Sequence, residues 1–245
     1  VVFGEEVVAD SLHPMLLHES GSQPVYYFPP EDVRHDLLEA SKTSTHCPKK
    51  GDASYYSIRA GGRVAADAAW FYPDPLPGAP PLGGLIAFYW DRVDRWLEED
   101  EEILFHPRDP YHRIDILPTS RHVRVLRDGA LLGESQRATV LFETGLPPRW
   151  YLPAEDIVAE LQPSESHTGC PYKGTASYFS VIVGGRPIKD LIWTYPEPRP
   201  EATAITGLLA FYDERIDLEL DGVPQQRPES PWSTANAAPI RLTRG

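Results

Sequence analysis

Apolar residues along this chain recur mostly at every second position, the spacing of strands that bury one face. In "SYFSVIVGG", Phe179, Val181 and Val183 share one side, while Tyr178 and Ser180 fall on the other. An earlier stretch repeats this, with Tyr56 and Ile58 set against Tyr55 and Ser57. "IDLELDG" also alternates, which predicts that Ile216, Leu218 and Leu220 face inward. Asp128-Gly129 and Gly184-Gly185 interrupt such runs, and both dipeptides favour the tight turns of β-hairpins. One stretch departs from the alternation. "PAEDIVAEL" carries Pro153 near its start and Ile157 and Leu161 one helical turn apart, predicting one short helix with a counterpart in "PPEDVRHDL". The expected fold is mainly β: two homologous, small, curved antiparallel β domains, each with one short helix.

The two domains follow from a duplication. Tyr27 matches Tyr151 and Asp32 matches Asp156 at an offset of 124, while Cys47, Lys50 and Trp70 match Cys170, Lys173 and Trp193 at 123. "THCPKKGDASYYS" and "HTGCPYKGTASYF" are the densest part, and "GLIAFYWDRVD" against "GLLAFYDERID" extends the match. A unit of this length is a domain and not a solenoid element of roughly 20 to 50 residues. The expected boundaries are a first repeat over 1–97, a linker over 98–120, a second repeat over 121–222 and a proline-rich tail over 223–245, with the repeats packed on each other. Within the linker, "EEDEE" reads as a solvated turn. His106, Arg108, Asp109 and His112 form a polar cluster set among prolines, read as a rigid strap.

Composition narrows the function classes. With 41% apolar and 24% charged residues over 245 positions, the chain can bury a sizeable core. A net charge of −13 without a basic stripe argues against nucleic acid and against an anionic membrane surface. No run of about eighteen apolar residues occurs, and Glu5, Glu6 and Asp10 stand where a signal peptide would be basic then apolar, so a cytoplasmic protein is expected. Two cysteines at equivalent positions make neither a disulfide framework nor a structural zinc site, which predicts free thiols, no metal and no cofactor.

The chemistry centres on the repeated Cys-Pro-x-Lys-Gly loop. A thiol three residues from an ammonium shifts toward thiolate, so one reading makes Cys170 a nucleophile, Lys173 its activator and Glu143 the group that orients it or accepts a proton. The other treats Cys170 as a small buried apolar group. Pro48 and Gly51, like Pro171 and Gly174, can aim Lys50 and Lys173 in a set direction, as anchors for a carboxylate or phosphate. The alternative for Lys173 is an ion pair with Glu143 or Asp217. Tyr27, Tyr55, Trp70 and Tyr72 in the first repeat, and Tyr151, Tyr178, Trp193 and Tyr195 in the second, read either as core or as a pocket of amphipathic rings. Such a pocket suits a flat or cyclic small molecule.

Cys170-Pro171-x-Lys173-Gly174-x-Ala176-x-Tyr178, then Trp193-x-Tyr195-Pro196 and Ala210-Phe211-Tyr212, resemble the domain-of-unknown-function 427 family. "ETGLPPRWYLP", from Glu143 to Pro153, looks like the opening motif of that family. The resemblance covers nearly the whole chain as two tandem copies and implies a small β-rich domain related to the β-tent folds. A nucleotidyltransferase-like label attached to the family finds no Gly-rich phosphate loop before a helix here, and no spaced acidic pair for magnesium. The copies diverge at defined places: Arg149, a further candidate for ligand binding, is Val25 in the first copy, Tyr172 is Lys49, and Gly169 is His46. The reading that results is a tandem small-molecule-binding module with a lysine anchor in each domain. The alternatives are an enzyme using Cys170, Lys173 and Glu143, or a scaffold.

Overall fold

The computed structural model describes residues 1–230, Trp232 and Ser233. The chain divides into two units, Val1–Asp109 and Pro110–Gly245. The first unit contains β1 (Val2–Phe3), β2 (Glu6–Val7), β3 (Met15–Leu17), β4 (Val25–Phe28), β5 (Leu38–Cys47), β6 (Gly51–Ala60), β7 (Arg63–Phe71), β8 (Ile86–Phe88), β9 (Leu97–Glu98) and β10 (Glu101–Glu102). The second contains β11 (Ile114–Pro118), β12 (Val123–Arg127), β13 (Ala130–Ser135), β14 (Thr139–Glu143), β15 (Arg149–Leu152), β16 (Leu161–Cys170), β17 (Gly174–Val183), β18 (Arg186–Thr194), β19 (Leu209–Phe211), β20 (Asp217–Leu220) and β21 (Val223–Pro224). All pairings of these strands are antiparallel.

The main sheet of the first unit runs β3-β4-β8-β7-β6-β5, and that of the second runs β11-β14-β15-β19-β18-β17-β16. A second sheet, β13-β12-β20-β21, accompanies the latter. The duplication read from the chain is therefore a duplication of sheet order. Both predicted hairpins form: Asp128 and Gly129 have φ of 51° and 80°, and Gly184 and Gly185 have 56° and 74°, the all-positive pair that two-residue turns require.

The long strands serve two cores. On β17, Ala176 and Tyr178 join one buried cluster with Tyr151, Trp193 and Tyr195, whereas Phe179, Val181 and Val183 belong to another with Val123, Leu191 and Leu218. The predicted split of faces is thus real, and each face is buried against different partners. Ile216, Leu218 and Leu220 are buried as the alternation required. Matching bulges bend the strands: Asp67 and Asp190 have φ of 50° and 49°, and their N–H groups donate to Ser57 Oγ at 3.1 Å and Ser180 Oγ at 3.2 Å. In the second sheet β14 and β17 are four strands apart, about 19 Å across a flat sheet. Lys173 at the head of β17 nevertheless reaches Glu143 at the end of β14, so the sheet must curl around the aromatic cluster.

The expected short helix is a single 3-10 turn, Ala154–Asp156, with Pro30–Asp32 as its twin. It ends early because the next apolar residues are used in extended form. Ile157 bridges to Gly133, and Leu161 opens β16 opposite Val181. Ile114–Pro118, within the stretch read as a linker, pairs with β14 as an edge strand of the second unit. Of the expected tail, β21 pairs with β20 and Trp232 packs on the aromatic cluster, while residues 231 and 234–245 lie outside the described residues.

Candidate functional site

Each Cys-Pro-x-Lys-Gly loop is the turn between the two longest strands of its sheet, closed by the cross-strand pairs Cys47 with Gly51 and Cys170 with Gly174. Gly51 and Gly174 have φ of +104° and +98°, a backbone region open to glycine. A Cβ on Gly174 would stand 3.2 Å from the carbonyl oxygen of Glu197. A following segment docks on each turn: the Leu76 N–H donates to the Lys50 carbonyl at 3.0 Å, and the Arg199 N–H to the Lys173 carbonyl at 3.1 Å. With its backbone held in this way, each lysine points in one direction.

That direction is a carboxylate. Lys173 Nζ donates to Glu143 Oε2, with side-chain exposures of 9% and 6%. Lys50 Nζ donates to Glu19 Oε2, with exposures of 11% and 28%. Of the two partners considered for Lys173, Glu143 is therefore the one used, and Asp217 accepts from Arg227 at 2.7 Å instead. Glu19 is the equivalent of Glu143 at the offset of 124, a signal that was present in "HESG" against "FETG" and passed over. In the second unit His112 Nε2 lies 3.0 Å from Glu143 Oε1, and the imidazole stacks on Tyr172 with centroids 4.0 Å apart.

The aromatic candidates are brought together in both units, in one repeated geometry. Trp193 Nε1 donates to Tyr151 Oη at 3.0 Å, and Trp70 Nε1 to Tyr27 Oη at 3.2 Å. Tyr178 Oη meets Thr168 Oγ1 at 2.6 Å, and Tyr55 Oη meets Thr45 Oγ1 at 2.7 Å. Tyr212, one of the aromatic residues read from the sequence, and Tyr89, which was not, complete each cluster by lying parallel to Tyr178 and Tyr55 at centroid separations of 6.5 Å. Tyr72 and Tyr195 are buried in the same clusters. All these rings except Trp70 and Tyr89 are buried, so they fill the site with one another. Burial raises the pKa of Tyr27 to about 12 and drives Tyr195 well above the ordinary phenol value. The phenols are neutral at physiological pH and act as hydrogen-bond donors and acceptors.

Both thiols are free and half-buried, Cys170 against the second aromatic cluster and Cys47 against the first. The pKa of Cys47 is lowered, chiefly because the Lys49 N–H hydrogen-bonds the thiolate; burial opposes this, and the Lys50 N–H adds to it. Arg149 stands apart from the lysine pair. It makes a buried, two-pronged bond to Glu214 (3.0 and 2.5 Å), approaches Asp213 at 3.5 Å, and lies over the Trp193 ring at 5.7 Å. Burial raises the pKa of Asp213 to about 7, against the pull of Arg149. Burial also acts on Glu214, but there the hydrogen bonds from Arg149 and Ser230 win and hold its pKa low. Neither acid was singled out from the sequence, because each lies some sixty residues from Arg149 and no local pattern records the pairing.

Among the described residues, no group of three or more His, Cys, Asp or Glu could hold a metal ion, and no helix is long and apolar enough to cross a membrane. The site is thus an ion pair beneath a roof of neutral phenols and indoles, built once in each unit. No curated protein matches the chain. The profile of the family described as a domain of unknown function, DUF427, matches residues 1–99 and again 115–222, so that each match covers one Lys–Glu pair and its aromatic cluster. The chain belongs to this family and carries two copies of its domain.

Proposed function

We propose that this protein binds small molecules, that the lysine of each Cys-Pro-x-Lys-Gly loop anchors an acidic group of the ligand, and that Glu19 or Glu143 occupies that place when no ligand is bound. The observation carrying this reading is the Lys–Glu pair itself, built twice under the same aromatic cluster. Two charges removed from water gain little net stability from each other, and a buried pair can usually be replaced by apolar groups at no cost. Its presence in both copies, which differ at Arg149 and Tyr172, therefore favours a role besides holding the fold. The neutral phenols suit a flat, carboxylate- or phosphate-bearing ligand, since aromatic faces and hydroxyl groups accept such a molecule without adding charge. The first copy is the easier one to open, because Glu19 is 28% exposed and lies in the connection between β3 and β4.

The test is a thermal-shift screen of carboxylate and phosphate metabolites against the wild type, Glu19→Gln and Lys50→Met. A ligand competing with Glu19 should bind Glu19→Gln more tightly than the wild type and Lys50→Met not at all. A second reading, a structural strut, is favoured by the mutual satisfaction and low exposure of the Lys173–Glu143 pair. On that reading both variants lose stability and no compound shifts any of the three proteins.

A further inference from the structure

On the face of the second unit's main sheet opposite the Lys–Glu pair lies an open groove of about 580 Å³, lined by residues of both sheets of that unit. Phe142 of β14, Trp150 of β15 and Leu117 of β11 form one wall, and Ile216 and Leu218 form the other. The volume falls in the range of small-molecule sites, roughly 300 to 1,000 Å³. The lining is apolar with a few polar groups, and most of those are already neutralised. Arg121 on the rim pairs with Asp221 at 2.7 Å and lies over Trp150, and Arg227 pairs with Asp217 at 2.7 Å.

Asp213 is different. It lines the groove with its side chain only 8% exposed. Among the described residues the guanidinium ion-paired with it is that of Arg149, which gives its two short bonds to Glu214 and stands 3.5 Å from Asp213. Two buried carboxyl groups thus share one cation, and Asp213 has the longer contact to it. Burial lifts its pKa to about 7, as expected of an acid that lacks sufficient positive charge nearby.

The first unit shows what fills this place in the duplicate. The positions equivalent to Trp150 and Asp213 are Tyr26 and Trp90. Trp90 stacks on Trp96 with centroids 4.4 Å apart and planes 5° apart, and Tyr26 stacks on the same indole at 6.3 Å. Flat rings of the protein itself occupy the corner in one copy, while in the other the corner is open and an acid replaces the indole.

We infer that the groove beside Trp150 is a second ligand site, confined to the second unit, for a planar aromatic molecule bearing an amine or amidine that donates to the carboxylate of Asp213. The ring would lie against Trp150 and the apolar wall of Ile216 and Leu218, as Trp90 lies against Trp96, while the cation would supply the charge that Asp213 lacks. The net charge of −13 favours the approach of such a ligand and disfavours an anionic one.

The experiment is isothermal titration of the full chain with tryptamine, benzamidine, indole and indole-3-acetate. The cations should bind saturably and at least tenfold more tightly than indole, with no binding of the acetate. Asp213→Asn should remove the preference for the cations while leaving the weak binding of indole. Because that change disturbs the Arg149 cluster, Leu117→Arg on the exposed rim is the second variant: it repels the cation without touching the buried charges, and should weaken tryptamine at least tenfold. Absence of saturable binding by any of the four compounds overturns the assignment, as does tryptamine binding unchanged in a folded Asp213→Asn or in Leu117→Arg.

Discussion

Replacing Lys173 by methionine removes one charge of a pair whose side chains are 9% and 6% exposed. Glu143 would then keep His112 at 3.0 Å but lose its ammonium partner, inside a cluster that admits little water. Breaking a buried pair from one side costs about 3–5 kcal/mol, because the remaining charge stays desolvated. For a unit of this size that corresponds to a fall in Tm of roughly 10 °C. The same substitution at Lys50 should cost less, about 1–3 kcal/mol, since Glu19 is 28% exposed and can rehydrate. The double variant Lys173→Met with Glu143→Leu should recover much of the loss, because no uncompensated carboxylate remains and the volumes are similar. Urea unfolding followed by tryptophan fluorescence, with calorimetry to separate the two units, measures these three variants, the single variant Glu143→Leu and the wild type. Equal costs at Lys50 and Lys173 would refute the burial argument, and a double variant whose loss equals the sum of the two single changes would refute coupling between the charges.

Three further outcomes follow from the geometry. In the folded protein Asp213 keeps its proton up to about pH 7, whereas an unfolded aspartate releases it near pH 4, so the stability tied to this group is complete below pH 4 and lost as pH rises through 7. The stability of Asp213→Asn relative to the wild type should accordingly increase from pH 5 to pH 8, by at most about 3 kcal/mol, and a constant difference across that range of urea midpoints contradicts the assignment. Gly174→Ala places a side chain at φ +98° and 3.2 Å from a carbonyl oxygen, so it should cost about 1–3 kcal/mol, checked by thermal unfolding; a neutral result would mean that the turn is not held as described. Iodoacetamide at neutral pH should label Cys47 before Cys170, because backbone N–H groups favour the Cys47 thiolate, and mass spectrometry showing the reverse order would contradict this and favour Cys170 as the nucleophile.

The parts of the fold that depend on local chemistry were legible in the chain. Period-two alternation on β17 separates the two cores because successive side chains on a strand point to opposite faces, and the Asp-Gly and Gly-Gly hairpins follow from the positive φ that their turns require. The helix expected at Pro153 failed to extend because Ile157 and Leu161 satisfy strand partners distant in sequence, which no local pattern records. The same limit applies to the site. Lys173 and Trp193 were found through the repeat, but His112 joins Glu143 from a segment that reads as a polar strap, and the pairing of Arg149 with Glu214 rests on burial across 65 positions. Glu19 was within reach, since the offset that pairs Tyr27 with Tyr151 also pairs Glu19 with Glu143.

The duplication also works as an internal control on which features the architecture needs. Both units curl a sheet of matching strand order, with β11 added at the edge of the second, around a lysine, a glutamate and the same arrangement of tyrosine and tryptophan. The corner next to it has changed in the second copy. Arg149, which is Val25 in the first copy, pairs with Glu214, and Asp213 stands where the first copy has Trp90, so the second copy buries an additional cation and an additional acid 3.5 Å apart. Stability does not call for such an exchange, since the stacked indoles of the first copy fill the space with apolar surface and no desolvation cost. The lysine, glutamate and ring arrangement kept in both units supports the proposed ligand class common to them, and the exchange of an indole for an acid supports the proposed separate site in the second.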